Sequence, residues 1–186
     1  MTIRSAVTGH ADRRRAEFDQ FVADNSAGLL RTGYLIVWDL AEAEDLVQEC
    51  LLAVARKWPR VRRMEHPYGY ARRVLVNLAL RGGKARSRRR EELVERPGER
   101  EPPDDAAARA LEDVGVRAEL LVALGRLPPR QRAVLVLRYL EDLSEAQVAD
   151  ALGCSVGTVK SSTSRGLTRL QDQLAFDRSL IAKESS

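Results

Sequence analysis

Positively charged side chains are concentrated in one part of this 186-residue chain. Residues 56–90 contain thirteen Lys or Arg and a single acid, Glu65, whereas residues 91–113 contain nine acids and three Arg. The net charge of the whole chain is only +4, so the segregation of charge is a stronger signal than its total. A local excess of cations is typical of a surface that binds nucleic-acid phosphates. We therefore expect residues 56–90 to contact a polyanion.

Residue types that carry catalysis or bind metals are sparse. The chain has two cysteines, Cys50 and Cys154, and two histidines, His10 and His66, without the spacing of a zinc cluster or a disulfide framework. It has no nucleophile with a nearby base, no pair of carboxylates at catalytic spacing and no Walker-type loop. We expect no enzyme activity, no cofactor and no metal ion. No apolar run reaches the eighteen residues of a membrane span, and free thiols suit a reducing compartment, so a cytoplasmic protein without membrane insertion is expected.

The elements that must position the cations are helices. Apolar residues recur three and four positions apart, and no alternating run predicts a strand, so the fold class is all-α. Residues 96–115 are rich in Pro, Gly and acids, as linkers are. We expect two small helical domains, residues 14–90 and 115–178, joined by a flexible acidic linker, residues 91–114. When extended, that linker would reach about 70 Å, or about 20 base pairs of DNA, so one chain could hold two separated DNA elements.

The C-terminal segment has residues that begin and end helices at the spacing of a helix-turn-helix. Pro128–Pro129 suits the first turn of a helix, Ser144 opens a capping box, Gly153 supplies a tight turn and Ser155 caps a second helix. The small Ala149 lets the two helices approach each other. In this motif the second helix enters the major groove of DNA.

A helical wheel divides that second helix into two faces. One face is apolar and should meet the domain core, and it comprises Val156, Val159, Thr163, Leu167, Leu170 and Leu174. The other combines cations with small hydrogen-bonding groups that suit phosphates and base edges. Its candidate DNA contacts are Ser155, Thr158, Lys160, Ser161 and Arg165. Lys160 and Arg165 lead this set, and an ordinary solvated face is the alternative.

The N-terminal domain should begin with a helix near residues 14–38, whose core residues are Phe18, Phe21, Val22, Leu29, Leu30, Tyr34 and Val37. The next helix, AEAEDLVQECLLAVARKW, should bury Leu46, Val47, Cys50, Leu51 and Val54. The wheel places Leu52 on the opposite side, among Asp45, Gln48, Glu49 and Arg56. An exposed leucine framed by polar groups is typical of a protein-binding patch. A plain solvated face remains the alternative.

A basic loop, RVRRMEHP, precedes the next helix, whose buried face should hold Tyr70, Val74, Leu75 and Leu78. Trp58, Tyr68 and Tyr70 lie beside these cations and could stack on an unpaired base. Packing in the core is the alternative for Trp58 and the favoured interpretation for Tyr70. The candidate nucleic-acid contacts here are Arg60, Arg62, Arg63, Tyr68, Arg72, Arg73, Asn77 and Arg81.

Taken in order, these segments resemble the regions of extracytoplasmic-function sigma factors of the sigma-70 superfamily. AEDLVQECLLAVARKW is similar to region 2.2, the docking helix for the clamp coiled coil of RNA polymerase. WPRVRRMEHPYGYARRVLVNLALR resembles regions 2.3 and 2.4, which melt and read the −10 element. LPPRQRAVLVLRYLEDLSEAQVADALGCSVGTVKSSTSRGLTRL resembles region 4, whose second helix reads the −35 element. The chain is most similar to the actinobacterial SigE-type group.

The resemblance implies a factor that binds the clamp coiled coil and flap of core polymerase, recognises both promoter elements and promotes melting without ATP. An anti-sigma factor is a further candidate partner. The chain departs from the family at Cys50, where Thr is usual, and at Ser162 and Thr163, where Arg or Gln and Leu are frequent. The alternative function is a helix-turn-helix repressor or activator that acts without polymerase docking.

Overall fold

The protein is α-helical throughout the part of the chain that the structure describes, with no strand in it. This computed structural model describes residues 3–92 and 118–184, with side chains from residue 12 to 82 and from 119 to 176. The predicted all-α fold class is confirmed. The acidic linker predicted at residues 91–114 lies outside the described residues, except for its first two positions.

The N-terminal domain consists of four helices. They are α1 (Ile3–Val37), α2 (Leu40–Arg56), α3 (Trp58–Val61) and α4 (Pro67–Glu92). Trp38 interrupts the chain between α1 and α2 with a left-handed backbone, φ 62°. Asp39 then caps α2, since its carboxylate accepts a hydrogen bond from the Glu42 amide at 2.9 Å. Helices α1, α2 and α4 pack against one another around a common core.

The C-terminal domain contains the predicted helix-turn-helix. Its helices are α5 (Ala118–Gly125), α6 (Pro129–Leu135), which continues into a π-helical turn at Val136–Leu140, α7 (Glu145–Leu152) and α8 (Val156–Glu184). The capping box at Ser144 is present. Gly153 has the left-handed φ of 59° that favours glycine, and Ser155 Oγ accepts a hydrogen bond from the Thr158 amide at 3.1 Å. The predicted boundaries of the motif are confirmed.

Half of the residues assigned to the core of the N-terminal domain from periodicity are buried, and the other half are half-buried. The buried ones are Leu29, Tyr34, Val37, Leu46, Val47, Cys50, Val54 and Leu75. Trp58 is also buried, with its ring centroid 5.2 Å from that of Phe18 and 5.1 Å from that of Phe21. Packing, rather than stacking on a base, is therefore the role of Trp58 in this structure.

The predicted inner face of α8 is wrong at two positions. Val156 and Leu167, assigned to the core, are 39% and 37% exposed. The buried face is centred instead on Val159, Gly166 and Leu170. A Cβ added to Gly166 would lie 3.0 Å from Leu135 Cδ1, so the absence of a side chain at Gly166 lets α8 lie close to α6. The helical wheel was built from apolar side chains, so it did not assign Gly166 to the buried face. The predicted face was therefore turned away from the observed one.

The two domains pack against each other, which the sequence did not predict. Helices α1 and α4 of the N-terminal domain contact α6 of the C-terminal domain, and α4 also contacts α7, the first helix of the helix-turn-helix. One continuous core therefore links both domains.

Candidate docking surface and nucleic-acid interface

Leu52 lies on the solvent side of α2. It is 60% exposed, whereas Leu46 and Val54 on the opposite side of the same helix are buried. The four residues predicted to surround it are all exposed. We call Asp45, Gln48, Glu49, Leu52 and Arg56 the docking patch. The predicted exposure of Leu52 is confirmed, and the helix offers a rigid apolar group within a polar rim.

The basic segment after α2 is partly helical. The predicted loop begins as the short helix α3, which includes Arg60, because Pro59 stands in its first turn. Arg60 and Arg63 are exposed. Arg62 is half-buried and forms an ion pair with Glu17 of α1. Two of the three predicted cations are therefore open to solvent, while the third is held by a carboxylate.

Arg72 of α4 is directed at the C-terminal domain rather than at solvent. Its guanidinium donates a hydrogen bond to Glu141 Oε2 at 2.9 Å, and Thr32 donates to Oε1 of the same carboxylate at 2.5 Å. The Arg72 and Glu141 side chains are only 14% and 7% exposed. A buried ion pair of this kind is sensitive to the loss of either partner, since the remaining charge stays desolvated.

Tyr68 belongs to the same cluster. Its hydroxyl lies 3.4 Å from Glu141 Oε2, and the Arg72 guanidinium lies 5.4 Å from the centre of its ring. Burial raises the pKa of Tyr68 above its ordinary value, and the neighbouring Glu141 carboxylate raises it further. Tyr68 is therefore protonated at neutral pH and half-covered in this arrangement.

The next residues of α4 also contact the C-terminal domain. Arg73 Nη1 donates to both carboxylate oxygens of Asp150, at 3.0 and 2.9 Å. Asn77 donates to the Ala151 carbonyl at 3.3 Å, whereas Arg81 is exposed. Sequence reasoning missed Asp150 and Glu141 as partners of these residues. Neither acid belongs to a local motif that would mark it.

The outer face of α8 is open to solvent. Lys160 is exposed, with its ammonium 3.7 Å from Glu145 Oε2 of α7. Arg165 donates to the Ser161 carbonyl and to Ser161 Oγ, both at 3.1 Å. Ser155 and Thr158 hydroxyls lie 2.9 Å apart at the start of the helix. Hydrogen bonds thus connect Ser155, Thr158, Ser161 and Arg165 along one side of α8, whereas Lys160 lies next to α7.

An apolar groove of about 240 Å³ lies on the C-terminal domain. The exposed Leu167 contributes to it, together with Tyr139, which is 56% exposed. The full lining is Leu120, Leu124, Leu135, Tyr139, Leu140, Leu167 and Leu170. The groove accounts for the leucine that the wheel had assigned to the core.

Two kinds of feature are absent from the described residues. No cluster of three or more His, Cys, Asp or Glu among them is arranged to hold a metal ion. No described helix is long and apolar enough to cross a membrane.

Two segments of the chain match models of known families. Residues 21–91 match the model of sigma-70 region 2, and residues 117–170 match that of sigma-70 region 4. The solved structure of the sigma factor RpoE from Bartonella quintana, in complex with the anti-sigma factor NepR, has a similar fold. It superposes with a TM-score of 0.64 at 22% identity, covering 87% of this chain and 98% of that one.

Curated relatives extend the match along the chain. The RNA polymerase sigma-E factor of Streptomyces coelicolor is 37% identical over 161 residues, which is 85% of this chain and 86% of that protein. The ECF RNA polymerase sigma factor SigE of Mycolicibacterium smegmatis is 31% identical over 169 residues, which is 90% of this chain and 65% of that protein. With regions 2 and 4 both present and in order, the chain belongs to the extracytoplasmic-function sigma factors of the actinobacterial SigE type, and it is a polymerase-associated initiation factor rather than an independent repressor or activator.

Proposed function

We propose that the docking patch on α2 binds the clamp coiled coil of core RNA polymerase. The observation that carries this proposal is the 60% exposure of Leu52 on a helix whose opposite face is buried. Apolar anchors within a polar rim dominate protein interfaces. The surrounding Asp45, Gln48, Glu49 and Arg56 would set the orientation of the partner more than its affinity.

We propose that α3, the following turn and α4 read and melt the −10 element. The side chains assigned to this task are Arg60, Arg62, Arg63, Tyr68, Arg72, Arg73, Asn77 and Arg81. Their cations would hold phosphates, and Tyr68 would stack on an unpaired base of the non-template strand. Flipping one base costs a few kcal/mol, which protein contacts can offset without ATP.

We propose that the outer face of α8 reads the −35 element through Ser155, Thr158, Lys160, Ser161 and Arg165. The N-terminal end of this helix is the part that reaches base edges in helix-turn-helix proteins. The apolar groove beside it, with Tyr139 and Leu167 at its surface, is our candidate contact for the polymerase flap. Residues 14–90 and 115–178 would then be the two functional domains, with residues 91–114 as the linker.

The remaining assignments follow from this role. We propose that the protein has no catalytic activity of its own and works in the cytoplasm, where core polymerase and the chromosome are. We also propose an anti-sigma factor as a partner, because the sigma factor of similar fold from Bartonella quintana was solved with one. A protein that is captured with this chain from unstressed cells and acts as its anti-sigma factor should suppress transcription by the reconstituted holoenzyme in vitro.

Reconstitution tests the function as a whole. Purified core polymerase and this protein are incubated with a pool of genomic fragments, and transcript starts are sequenced. We expect start sites that share two sequence elements and that depend on the added protein. Binding of the protein to duplex DNA with no polymerase-dependent transcript would refute the proposed function.

A further inference from the structure

We propose that Val156, the first residue of α8, contacts the C5-methyl group of a thymine in the −35 element and so sets part of the promoter specificity. The proposal rests on the −35 role of α8 given above. The helical wheel had assigned Val156 to the core of the domain instead. An apolar contact is thereby added to the polar ones assigned above to Ser155, Thr158, Lys160, Ser161 and Arg165.

Val156 is an exposed apolar residue that belongs to neither of the apolar surfaces described above. It is 39% exposed, whereas Val159, three residues later in α8, is fully buried. The apolar groove of the C-terminal domain includes Leu167 of α8 but not Val156. The docking patch lies on α2, in the other domain. The exposure of Val156 therefore fits a partner that meets the start of α8.

The polar side chains at the start of α8 bond one another. Ser155 Oγ accepts a hydrogen bond from the Thr158 amide at 3.1 Å and lies 2.9 Å from Thr158 Oγ1. Ser161 Oγ donates to the Thr158 carbonyl and accepts from Arg165 Nη2, both at 3.1 Å. These bonds hold the polar groups along one side of the helix. Val156 is the exposed apolar group of the first turn beside them.

Val156 lies next to the leading candidate for a DNA contact. It precedes Lys160 by four residues, and residues at that spacing are neighbours on a helix surface. Gly157 follows Val156 and is exposed. A Cβ added to Gly157 would meet Ser155 Oγ at the ordinary contact distance of 3.8 Å. Because Gly157 has no side chain, DNA can approach the backbone beside Val156 closely.

Thymine carries a group that an exposed valine can recognise. An A·T pair presents the C5-methyl of thymine in the major groove, and a G·C pair has no such group. The first residues of a recognition helix are the ones that reach base edges. A methyl packed against Val156 removes apolar surface of both from water, whereas a polar base edge in the same place would lose hydration without gaining a hydrogen bond. The contact should therefore favour thymine at one position of the element.

The test measures promoter binding by the reconstituted holoenzyme. The probe is a fluorescent duplex that carries a mapped start site, and each thymine of its −35 element, on either strand, is replaced in turn by deoxyuridine. Deoxyuridine differs from thymidine only in lacking the methyl group. We expect one position at which the replacement weakens binding about three- to fivefold, as for the lost burial of one methyl-sized group. The same replacement should have little effect on Val156→Ala, which lacks the partner of that methyl.

Cytosine methylation provides an independent measurement at the position so identified. A G·C pair placed there should weaken binding of the unmodified protein. Replacing its cytosine by 5-methylcytosine should recover about three- to fivefold of that loss, because the methyl group is restored at the same place in the major groove. Val156→Ala should not distinguish the two cytosines.

Two variants are matched controls. Val156→Ile keeps a branched apolar side chain and should stay sensitive to the thymine methyl. Phe176→Ala removes another exposed apolar side chain of α8, about 30 Å further along the helix, and should respond to deoxyuridine as the unmodified protein does. Because Val156 is exposed, Val156→Ala should lower the thermal midpoint by no more than about 2 °C, so that a change in binding does not report unfolding.

Three results would overturn the proposal. They are equal deoxyuridine effects on the unmodified protein and Val156→Ala at every position, no effect on the unmodified protein at any position, and a −35 element that contains no A·T pair. Lys160→Ala and Arg165→Ala in the same assay test the proposed function separately. If both bind the probe as tightly as the unmodified protein, the −35 role of α8 is wrong. If they bind it weakly while Val156→Ala retains the full deoxyuridine effect, only the contact of Val156 is wrong.

Discussion

Truncation of the Leu52 side chain should affect polymerase binding without affecting the stability of the fold. Leu52→Ala should weaken association with core polymerase by about 1–3 kcal/mol, as at an interface hot spot. Its free energy of unfolding should change by no more than about 0.5 kcal/mol, because an exposed side chain loses little burial. Fluorescence anisotropy with labelled core and urea unfolding measure the two quantities.

The matched comparison is Leu46→Ala on the buried side of the same helix. Leu46 is 8% exposed, so its truncation should cost about 2–5 kcal/mol of stability. Gln48→Ala should weaken polymerase binding less than Leu52→Ala does. If Leu52→Ala destabilises the protein as much as Leu46→Ala while binding is retained, the docking patch is misassigned.

The two cysteines should differ sharply in reactivity. Burial raises the pKa of Cys50 to about 12, and its thiol donates to the Ala71 carbonyl at 3.1 Å. Only the thiolate is reactive, so at pH 8 about one Cys50 in ten thousand is in the reactive form. Cys154 is half-buried in the turn of the helix-turn-helix. A thiol titration of the native protein should therefore find Cys154 alone and find Cys50 only after denaturation. Fast labelling of native Cys154→Ser would contradict this.

The outer face of helix α8 should make promoter contacts that depend on charge. Lys160→Ala and Arg165→Ala should each weaken holoenzyme binding to promoters with a −35 element and lower the salt slope by about 1, as expected for a lost phosphate contact. Arg15→Ala, which removes an exposed cation from α1, is the control and should change neither quantity. Unchanged affinity and salt slope in both α8 variants would place the DNA on another face.

Features that depend only on the residues of one helix could be predicted, whereas features that depend on a neighbouring helix could not. Capping at Ser144, the left-handed turn at Gly153 and the exposure of Leu52 are local properties that spacing along one helix reveals. The orientation of α8 is not a local property, because it depends on the contact of Gly166 with Leu135 of another helix. Trp58 looked available for stacking beside its cations, yet two phenylalanines of α1 enclose it. A helical wheel contains no information about such neighbours.

At the scale of the whole molecule, the linker should matter for its length. Replacing residues 96–110 by a polar sequence of equal length should preserve transcription from reconstituted holoenzyme, because its proposed role is reach rather than packing. Removing ten of these residues shortens the maximum reach by about 33 Å and should abolish initiation at promoters with both elements. The opposite pattern in runoff assays would show that sequence, rather than length, is required.

Contact between the domains was the largest feature that the sequence did not reveal. Arg72 and Glu141 are 69 residues apart in the chain, and Arg73 and Asp150 are 77 apart. Charged side chains are read from a sequence as solvated, because nothing local says that a partner will cover them. The cation-rich helix was predicted to contact a polyanion, and in the structure two of its cations bind carboxylates of the same chain. That the protein itself supplies two of those anions depends on the tertiary arrangement.

The position of Trp38 makes the protein its own optical probe. The chain has two tryptophans, and the other, Trp58, is enclosed by Phe18 and Phe21 in the N-terminal core. Trp58→Phe would leave one indole, stacked on Tyr34 at 5.5 Å and covered by Gly125 of the other domain. Separation of the domains on core polymerase would hydrate that indole and shift its emission to longer wavelength. Stopped-flow fluorescence would then time this separation in the unlabelled factor, and an unchanged spectrum at saturating core would show that the contact between Trp38 and Gly125 survives in the holoenzyme.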